Sequence, residues 1–249
     1  MHTIAVLACD QVIPFDLSLP IEVFGRTRLP SGDSAYRVRV CAGQGEIDAG
    51  AFALTTVWGL ADLATADTVI VPGLSDLDAP VPADALDALR AAAAAGTRIA
   101  SICVGAFTLA ATGLLDGLGA TTHWAAAAEL ARRHPAIDVD PNVLYVDNGQ
   151  LLTSAGAAAG LDLCLHMIRT DHGSAVAADS ARLSVMPLER AGGQAQFITH
   201  EPPTPDSASL HGVLVWLEDN LARDLTLPDI AAHAALSIRT LNPMPLSVS

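Results

Sequence analysis

Lysine is absent from this chain of 249 residues, so all 13 of its basic side chains are arginines. Against them stand 27 aspartates and glutamates, which give a formal net charge of −14 with the histidines neutral. A chain with so few cations lacks the broad positive surface with which proteins bind the phosphates of nucleic acids. The composition therefore argues against extensive nucleic-acid contact by the chain as a whole.

Aromatic residues and long apolar runs are also scarce. Phe, Trp and Tyr make up 4% of the chain although 51% is hydrophobic, so the core must consist mainly of Ala, Leu, Val and Ile. No apolar run is long and uninterrupted enough to predict a membrane span, and the N-terminus lacks the basic region of a signal peptide. We therefore expect a cytoplasmic protein without a membrane partner.

Cysteine is limited to four widely spaced residues without a Cys-x-x-Cys pair: Cys9, Cys41, Cys103 and Cys164. This spacing predicts neither a zinc site nor a disulfide framework. His166 and His172 have no companions with the spacing of metal ligands. The sequence thus predicts no metal and no cofactor.

One of these cysteines lies between two predicted elements. Residues 97–102 predict a short buried strand, and residues 105–115 predict a helix with an apolar face. Cys103 falls between them, close to the first free N–H groups of the helix, which should lower the pKa of its thiol. Gly105 suits such a crowded turn, so the order is that of a nucleophile elbow with cysteine in place of serine. The alternative interpretation is a small core cysteine.

A histidine follows the predicted helix. Gly117 and Gly119 end that helix, and the sequence continues as Thr-Thr-His-Trp at residues 121–124. The imidazole of His123 is therefore placed on the next loop, where it could approach the thiol of Cys103. Both residues are candidate catalytic groups.

Strands and helices alternate along most of the chain. Apolar or alternating runs predict strands at residues 3–8, 36–41, 52–56, 68–71 and 97–102, and helical patterns predict helices at residues 82–95, 105–115, 125–133 and 157–169. A further helix should open at Ser18 or Pro20, and Asn148-Gly149 predicts a hairpin turn within residues 143–154. This order predicts an α/β fold with a doubly wound, mostly parallel sheet and a site at the carboxyl ends of its strands.

These motifs, in series, resemble a known family. Cys-Val-Gly at residues 103–105, Leu-Leu-Asp-Gly at 114–117 and Ala-Thr-Thr-His-Trp at 120–124 are similar to the DJ-1/PfpI superfamily, whose fold is that of class I glutamine amidotransferase domains. The resemblance covers residues 3–185. Within the superfamily, the chain looks most like the amidase-like sensor domain of AraC-type transcriptional regulators, and isocyanide hydratases look similar over the same region.

The resemblance implies roles for further residues. An acidic residue before the first helix contacts the nucleophilic cysteine in this family, and Asp16 matches that position; its alternative role is a turn or helix cap. The backbone at Gly73, together with the N–H groups of Val104 and Gly105, would form an anion-binding pocket; a simple turn glycine is the alternative at residue 73. Val104 stands where PfpI-type proteases carry their catalytic histidine, so their triad does not transfer.

The C-terminal part differs in composition from the rest. Residues 187–206 are rich in Pro and Gly and predict a linker between a domain of residues 1–186 and a short all-α segment of residues 207–249. That segment resembles the first helix-turn-helix of an AraC-type DNA-binding domain. Thr226 should cap one helix and Ser237 the recognition helix.

Three residues of this recognition helix are candidates for DNA contact: Ser237, Arg239 and Thr240. Pro243 and Pro245 should end the helix early, so we expect an incomplete domain that binds DNA only when completed.

Two functions follow from the sequence. The first is an AraC-type transcriptional regulator whose DJ-1/PfpI-like domain senses a small molecule or dimerises. The second is a cysteine-dependent hydrolase or hydratase, similar to isocyanide hydratases, that acts on a small nitrogenous molecule with Cys103, Asp16 and His123. The first is preferred because an enzyme of this fold needs neither the linker nor the helix-turn-helix. A homodimer is implied by the resemblance only.

Overall fold

A computed structural model describes residues 1–43, 45–187, 190, 192–193, 195–196, 213, 216–217, 220 and 225–234. The chain divides into two units, Met1–Gln196 and Phe197–Ser249. The first unit contains the main sheet and the predicted elbow. Within the described residues, no helix is long and apolar enough to cross a membrane.

A sheet of seven strands forms the centre of the first unit. Its strands, in chain order, are β1 (His2–Ala8), β2 (Tyr36–Ala42), β5 (Trp58–Gly59), β6 (Thr68–Val71), β7 (Arg98–Ile102), β10 (Tyr145–Asp147) and β11 (Leu151–Ser154). They lie side by side in the order β10-β11-β7-β6-β1-β2-β5. All neighbours are parallel except β10, which pairs antiparallel with β11. The predicted α/β fold with a mostly parallel sheet is confirmed.

Short strands and helices complete the first unit. Two small ladders pair β3 (Ile47–Asp48) with β4 (Ala53–Leu54), and β8 (Gly119–Ala120) with β9 (Asp138–Val139). A 3₁₀ helix spans Leu60–Thr65. The α-helices are α1 (Pro14–Arg26), α2 (Ala83–Ala94), α3 (Gly105–Ala111), α4 (Trp124–Arg133), α5 (Ala158–His172) and α6 (Ser174–Leu183).

The sheet separates two apolar cores. Ile4 and Val6 of β1 pack into one core, to which α1, α5 and α6 contribute, whereas Ala5 and Leu7 pack into the other, to which α2, α3 and α4 contribute. A strand buried on both faces has no polar side to present, which explains the continuous apolar run at residues 3–8. The doubly wound arrangement therefore follows from the sequence pattern of the central strands.

The start of α1 differs from the prediction. The helix begins at Pro14 rather than at Ser18 or Pro20, and the N–H of Leu17 donates to the carbonyl of Ile13 at 3.0 Å. Proline is favoured at the first helical position because its ring fixes φ and no donor is lost there. Asp16 consequently lies in the first turn of α1 and not in the loop before it.

Helix α3 is shorter than predicted, and α6 was missed. The helix from Gly105 ends at Ala111, before Gly113, whose φ of +80° favours glycine and leaves the helical region. Helix α6 follows α5 after Gly173, which has a φ of +86°. Positive φ values at glycines therefore set both boundaries.

In the second unit, one helix is described with its cap. Helix α7 (Leu227–His233) follows Thr226, whose hydroxyl accepts from the N–H of Asp229 while the Asp229 carboxylate accepts from the N–H of Thr226 at 2.9 Å. This reciprocal capping box confirms the predicted cap at Thr226. Ser237, Arg239 and Thr240 lie outside the described residues, as do Pro243 and Pro245.

Candidate functional site

Cys103 occupies a sharp turn at the carboxyl end of the central strand β7. Its φ of +58° lies in the left-handed region, and its N–H donates to the carbonyl of Ser154 at 3.0 Å. A non-glycine residue is strained in this conformation, and such residues cluster at functional sites. The predicted strand–turn–helix order around Cys103 is present.

Two glycines make room for this turn. A Cβ atom on Gly105 would lie 2.2 Å from the backbone oxygen of Val71, so only glycine allows α3 to start this close to β6. A Cβ atom on Gly156 would lie 2.3 Å from Cβ of Cys103 and 2.8 Å from its Sγ. Gly156 was not predicted as a site residue, although the Thr-Ser-Ala-Gly sequence at residues 153–156 is the signal that could have identified it.

Asp16 lies next to the thiol. Its side chain is buried at 2% exposure, shares a hydrogen bond with the Cys103 thiol, and accepts from the N–H of Gly73 at 3.3 Å. Space at Gly73 is tight, since a Cβ atom there would lie 2.7 Å from Oδ2 of Asp16 and 2.8 Å from Cγ2 of Val104. The structure thus brings together four of the predicted residues, and it directs the Gly73 N–H at Asp16.

The ionisation of this pair corrects one expectation. Burial raises the pKa of Asp16 to about 6. The hydrogen bonds from the Gly73 N–H and the Cys103 thiol lower this pKa, but by less than burial raises it. Burial, followed by the negative charge of Asp16, raises the pKa of Cys103 to about 12 and outweighs the N–H of Val104. The predicted lowering of the thiol pKa by the helix N-terminus is therefore wrong, because desolvation dominates.

The pair can transfer a proton. Near neutral pH, these values leave Asp16 mostly ionised and Cys103 protonated, so the pair carries one negative charge. Attack by the sulfur would require its proton to pass to the adjacent carboxylate, as in general-base activation of a nucleophile. Without a reacting partner, the site is a partly buried thiol hydrogen-bonded to a carboxylate.

His123 stands apart from this pair. It is the N-cap of α4, where its Nδ1 accepts from the N–H of Ala125 at 3.4 Å. No hydrogen bond in the described part of the chain joins it to Cys103 or Asp16. It lines a cavity of about 200 Å³ together with Gly156.

The loop before His123 does contact the elbow. The hydroxyl of Thr122 donates to the carbonyl of Cys103 at 2.8 Å, and Thr122 is fully buried. Thr122 was missed as a site residue, since only its place in the Ala-Thr-Thr-His-Trp motif marked it. Across the described ranges, no cluster of three or more His, Cys, Asp or Glu residues could hold a metal ion.

The thiol should react slowly with alkylating agents. Only a small thiolate fraction exists at pH 8 if the pKa of Cys103 is about 12. Replacing Asp16 by asparagine removes the neighbouring charge that raises this pKa, so we expect the iodoacetamide rate at Cys103 to rise roughly tenfold or more. Residue-resolved mass spectrometry at pH 7 to 9 measures both rates.

The fully buried Cys164, whose pKa burial also raises, provides an internal control because its rate should not change. A fast wild-type reaction at Cys103 that the Asp16→Asn substitution slows would contradict the assigned charge state.

The chain is similar to proteins of two kinds, a transcriptional regulator and an enzyme. HTH-type transcriptional regulator GbdR of Pseudomonas aeruginosa PAO1 is 25% identical over 96% of this chain, which spans 66% of the length of GbdR. Isonitrile hydratase of Pseudomonas putida is 36% identical over 59% of this chain and 61% of its own length.

Similarity to solved structures supports the same fold. A crystal structure of an AraC family transcriptional regulator from Pseudomonas putida has a TM-score of 0.64 and 20% identity, and the match covers 74% of this chain and 100% of that one. The DJ-1/PfpI family model matches residues 2–170, a range that contains the elbow, Asp16 and Gly73. This chain belongs to the DJ-1/PfpI family.

Proposed function

We propose that the protein is a transcriptional regulator of AraC type, with a DJ-1/PfpI-like unit that binds a small molecule at the site around Cys103. The observation that carries the proposal is the extent of the match to GbdR, which covers 96% of the chain and so continues beyond the family region of residues 2–170. An enzyme that consisted of the family domain alone would not require similarity in that additional part.

The charge state of Cys103 and Asp16 supports binding over turnover. A thiol with a pKa of about 12 is a weak nucleophile near neutral pH, because little of it is thiolate. Its contact with Gly156 and the bond from Thr122 hold Cys103 in one position. Such a fixed polar group can recognise a ligand without reacting with it, which is what a sensor requires.

Partners and location follow from this role. We propose a small-molecule effector at Cys103, Asp16 and the backbone of Gly73, Val104 and Gly105. DNA contact would come from Ser237, Arg239 and Thr240 once the helix-turn-helix is complete. A cytoplasmic homodimer is the expected form, with the linker between the two domains restricted to the part of residues 187–206 that follows Gln196, where the first unit ends.

A hydratase remains the second candidate. Its support is the 36% identity to isonitrile hydratase over 59% of the chain, together with the hydrogen bond between Asp16 and Cys103. In that reaction, water would add to an isonitrile carbon to give an N-substituted formamide, with Asp16 as the group that accepts and returns the proton.

DNA binding distinguishes the two candidates. The chain, with its helix-turn-helix segment extended to a complete AraC-type domain, is incubated at about 150 mM salt, where nonspecific electrostatic binding is weak, with fragments of its own genome, and bound fragments are sequenced. We expect enrichment of a defined upstream region, which Arg239→Ala abolishes and Arg26→Ala preserves, since Arg26 lies exposed on α1 and pairs with Glu22.

The proposal fails if wild type enriches no fragment more than Arg239→Ala does. The enzyme reading is tested in parallel with an alkyl isonitrile: steady formation of the formamide that Cys103→Ser and Asp16→Asn both abolish would establish a hydratase.

A further inference from the structure

Five described residues near the end of the first unit lie against its surface, and we call them the strap: residues 190, 192, 193, 195 and 196. At its start, the guanidinium of Arg190 donates twice to the buried carboxylate of Asp162 in α5, at 2.5 and 3.1 Å. The strap is therefore anchored at its N-terminal end.

The middle of the strap meets the edge of the sheet. The carbonyl of Gly192 accepts from the N–H of Leu144 at 2.6 Å and from that of Tyr145 at 3.4 Å. A Cβ atom on Gly192 would lie 2.8 Å from the ring of Tyr145, so a side chain here would push the strap away. The strap thus covers the edge strand β10.

Its last residue makes the densest set of contacts. The side-chain oxygen of Gln196 accepts from the N–H of Trp124 at 2.9 Å. Its amide nitrogen donates to the hydroxyl of Thr121 at 3.2 Å and to the carbonyls of Thr122 and Val143 at 3.0 and 3.1 Å. Because the oxygen faces a donor and the nitrogen faces acceptors, this orientation satisfies both ends of the amide.

Two short routes connect these contacts with the elbow. Thr122, which receives a hydrogen bond from Gln196, donates its own hydroxyl to the carbonyl of Cys103 at 2.8 Å. Leu144, which donates to the strap, accepts from the N–H of Ala155 at 2.9 Å, and the next residue is Gly156 against Cys103. Arg190 and Gln196 also line the cavity of about 200 Å³ that Gly156 and His123 border.

We propose that the strap couples the state of the Cys103 site to the chain that follows residue 196. A group on Cys103 that extends toward Gly156 must displace that glycine, because a Cβ atom there would already lie 2.8 Å from Sγ; movement of the elbow would also disturb the hydrogen bond from Thr122 to the Cys103 carbonyl. Displacement of Gly156 or Thr122 breaks contacts of Gln196 or Gly192 and releases the strap. The second unit starts at Phe197, directly after the residue that is released. This coupling rests on the proposed regulatory function and specifies the contacts through which a signal would pass inside the first unit.

Coupling of this kind acts in both directions. If modification at Cys103 releases the strap, then release of the strap must change access to Cys103 by the corresponding free energy. This reciprocity provides a test that needs neither the effector nor DNA.

The test removes the side chain of Gln196. We expect Gln196→Ala to raise the iodoacetamide rate at Cys103 at least about fivefold, the lower range for allosteric coupling. The same variant should speed hydrogen exchange at the Leu144 amide, whose acceptor lies four residues before the substitution. Both are measured on the whole chain.

A second glutamine, whose side chain also donates to two backbone carbonyls, provides the matched control. The side chain of Gln150 donates to the carbonyls of Ala93 and Thr97 at 2.7 and 3.1 Å, at the opposite end of β7 from Cys103. Gln150→Ala should leave the rate at Cys103 unchanged.

The reverse experiment uses the wild-type chain. Complete carbamidomethylation of Cys103 by iodoacetamide should accelerate exchange at the Trp124 and Leu144 amides, which the strap protects. The coupling is overturned if these amides exchange equally before and after modification, or if Gln196→Ala leaves the Cys103 rate unchanged. Either failure would leave the DNA-binding result intact, so the two proposals can fail separately.

Discussion

Replacing Gly105 by alanine is expected to destabilise the first unit by about 3 kcal/mol or more, the upper range for overpacking. The added Cβ would lie 2.2 Å from the backbone oxygen of Val71 and 2.8 Å from that of Pro72, and backbone atoms cannot rotate away as a side chain can. The first turn of α3 would therefore have to move away from β6. Urea unfolding followed by circular dichroism measures the loss.

A glycine in another helix provides the control. Gly25 lies in α1, and a Cβ atom there would meet nothing within 4 Å. Gly25→Ala should therefore change stability by less than about 1 kcal/mol, in the stabilising direction, because alanine has the higher helix propensity. Equal stability of the two variants would show that the elbow is not as crowded as described.

Asp16→Asn is expected to stabilise the folded chain by up to about 3 kcal/mol above pH 7 and by almost nothing near pH 4. The folded pKa of Asp16 is raised from 3.8 to about 6, so the folded state holds a proton that the unfolded state has already released between these values. Stability from Asp16 therefore falls as pH rises from about 4 to 6, and the penalty remains above that range. Asparagine carries no charge, and its side-chain oxygen can still accept from the Gly73 N–H.

The measurement is the difference in unfolding free energy between variant and wild type from pH 4 to pH 8. Asp138→Asn, which changes an exposed aspartate, provides the matched control. A destabilising effect of Asp16→Asn at pH 7 would mean that the carboxylate is better solvated in the folded state than its burial indicates.

Features that depend on residues close together in the sequence could be predicted from it. Apolar runs predicted β1 and β6, because a parallel strand buried on both faces needs no polar side. The order strand, Cys103, Gly105, helix predicted the elbow. At Thr226, the cap was visible because the capping box is completed within four residues.

Features that depend on distant contacts escaped sequence reasoning. The N–H of Gly73 meets Asp16 across 57 residues, and no local pattern records that bond. The sign of the thiol pKa shift was wrong because the helix N-terminus is visible in sequence, whereas the extent of burial is not. The roles of Cys103, Asp16, His123 and Gly73 stay predictions until they are tested.

The strap was invisible for the same reason. Residues 187–206 have the composition of a linker, yet Gln196 and Gly192 make hydrogen bonds to the β10 side of the sheet and to the loop before α4. Polar and glycine-rich composition indicates that a segment lacks its own core. It does not indicate whether that segment lies against another one.

The two edges of the main sheet decide whether copies of the folded first unit can associate strand to strand. An open sheet edge offers unpaired backbone groups on which strands of other molecules can assemble into aggregates. Here the edge strands β5 and β10 contain two and three residues, and the carbonyl of Gly192 occupies N–H groups beside β10. The longest strands, β1 and β2, lie inside the sheet or next to its edge. The β10 edge of the folded unit is therefore protected from edge-to-edge polymerisation, whereas β5 pairs only with Cys41 and Ala42 of β2, so strand-to-strand association would start at the β2 side of the sheet.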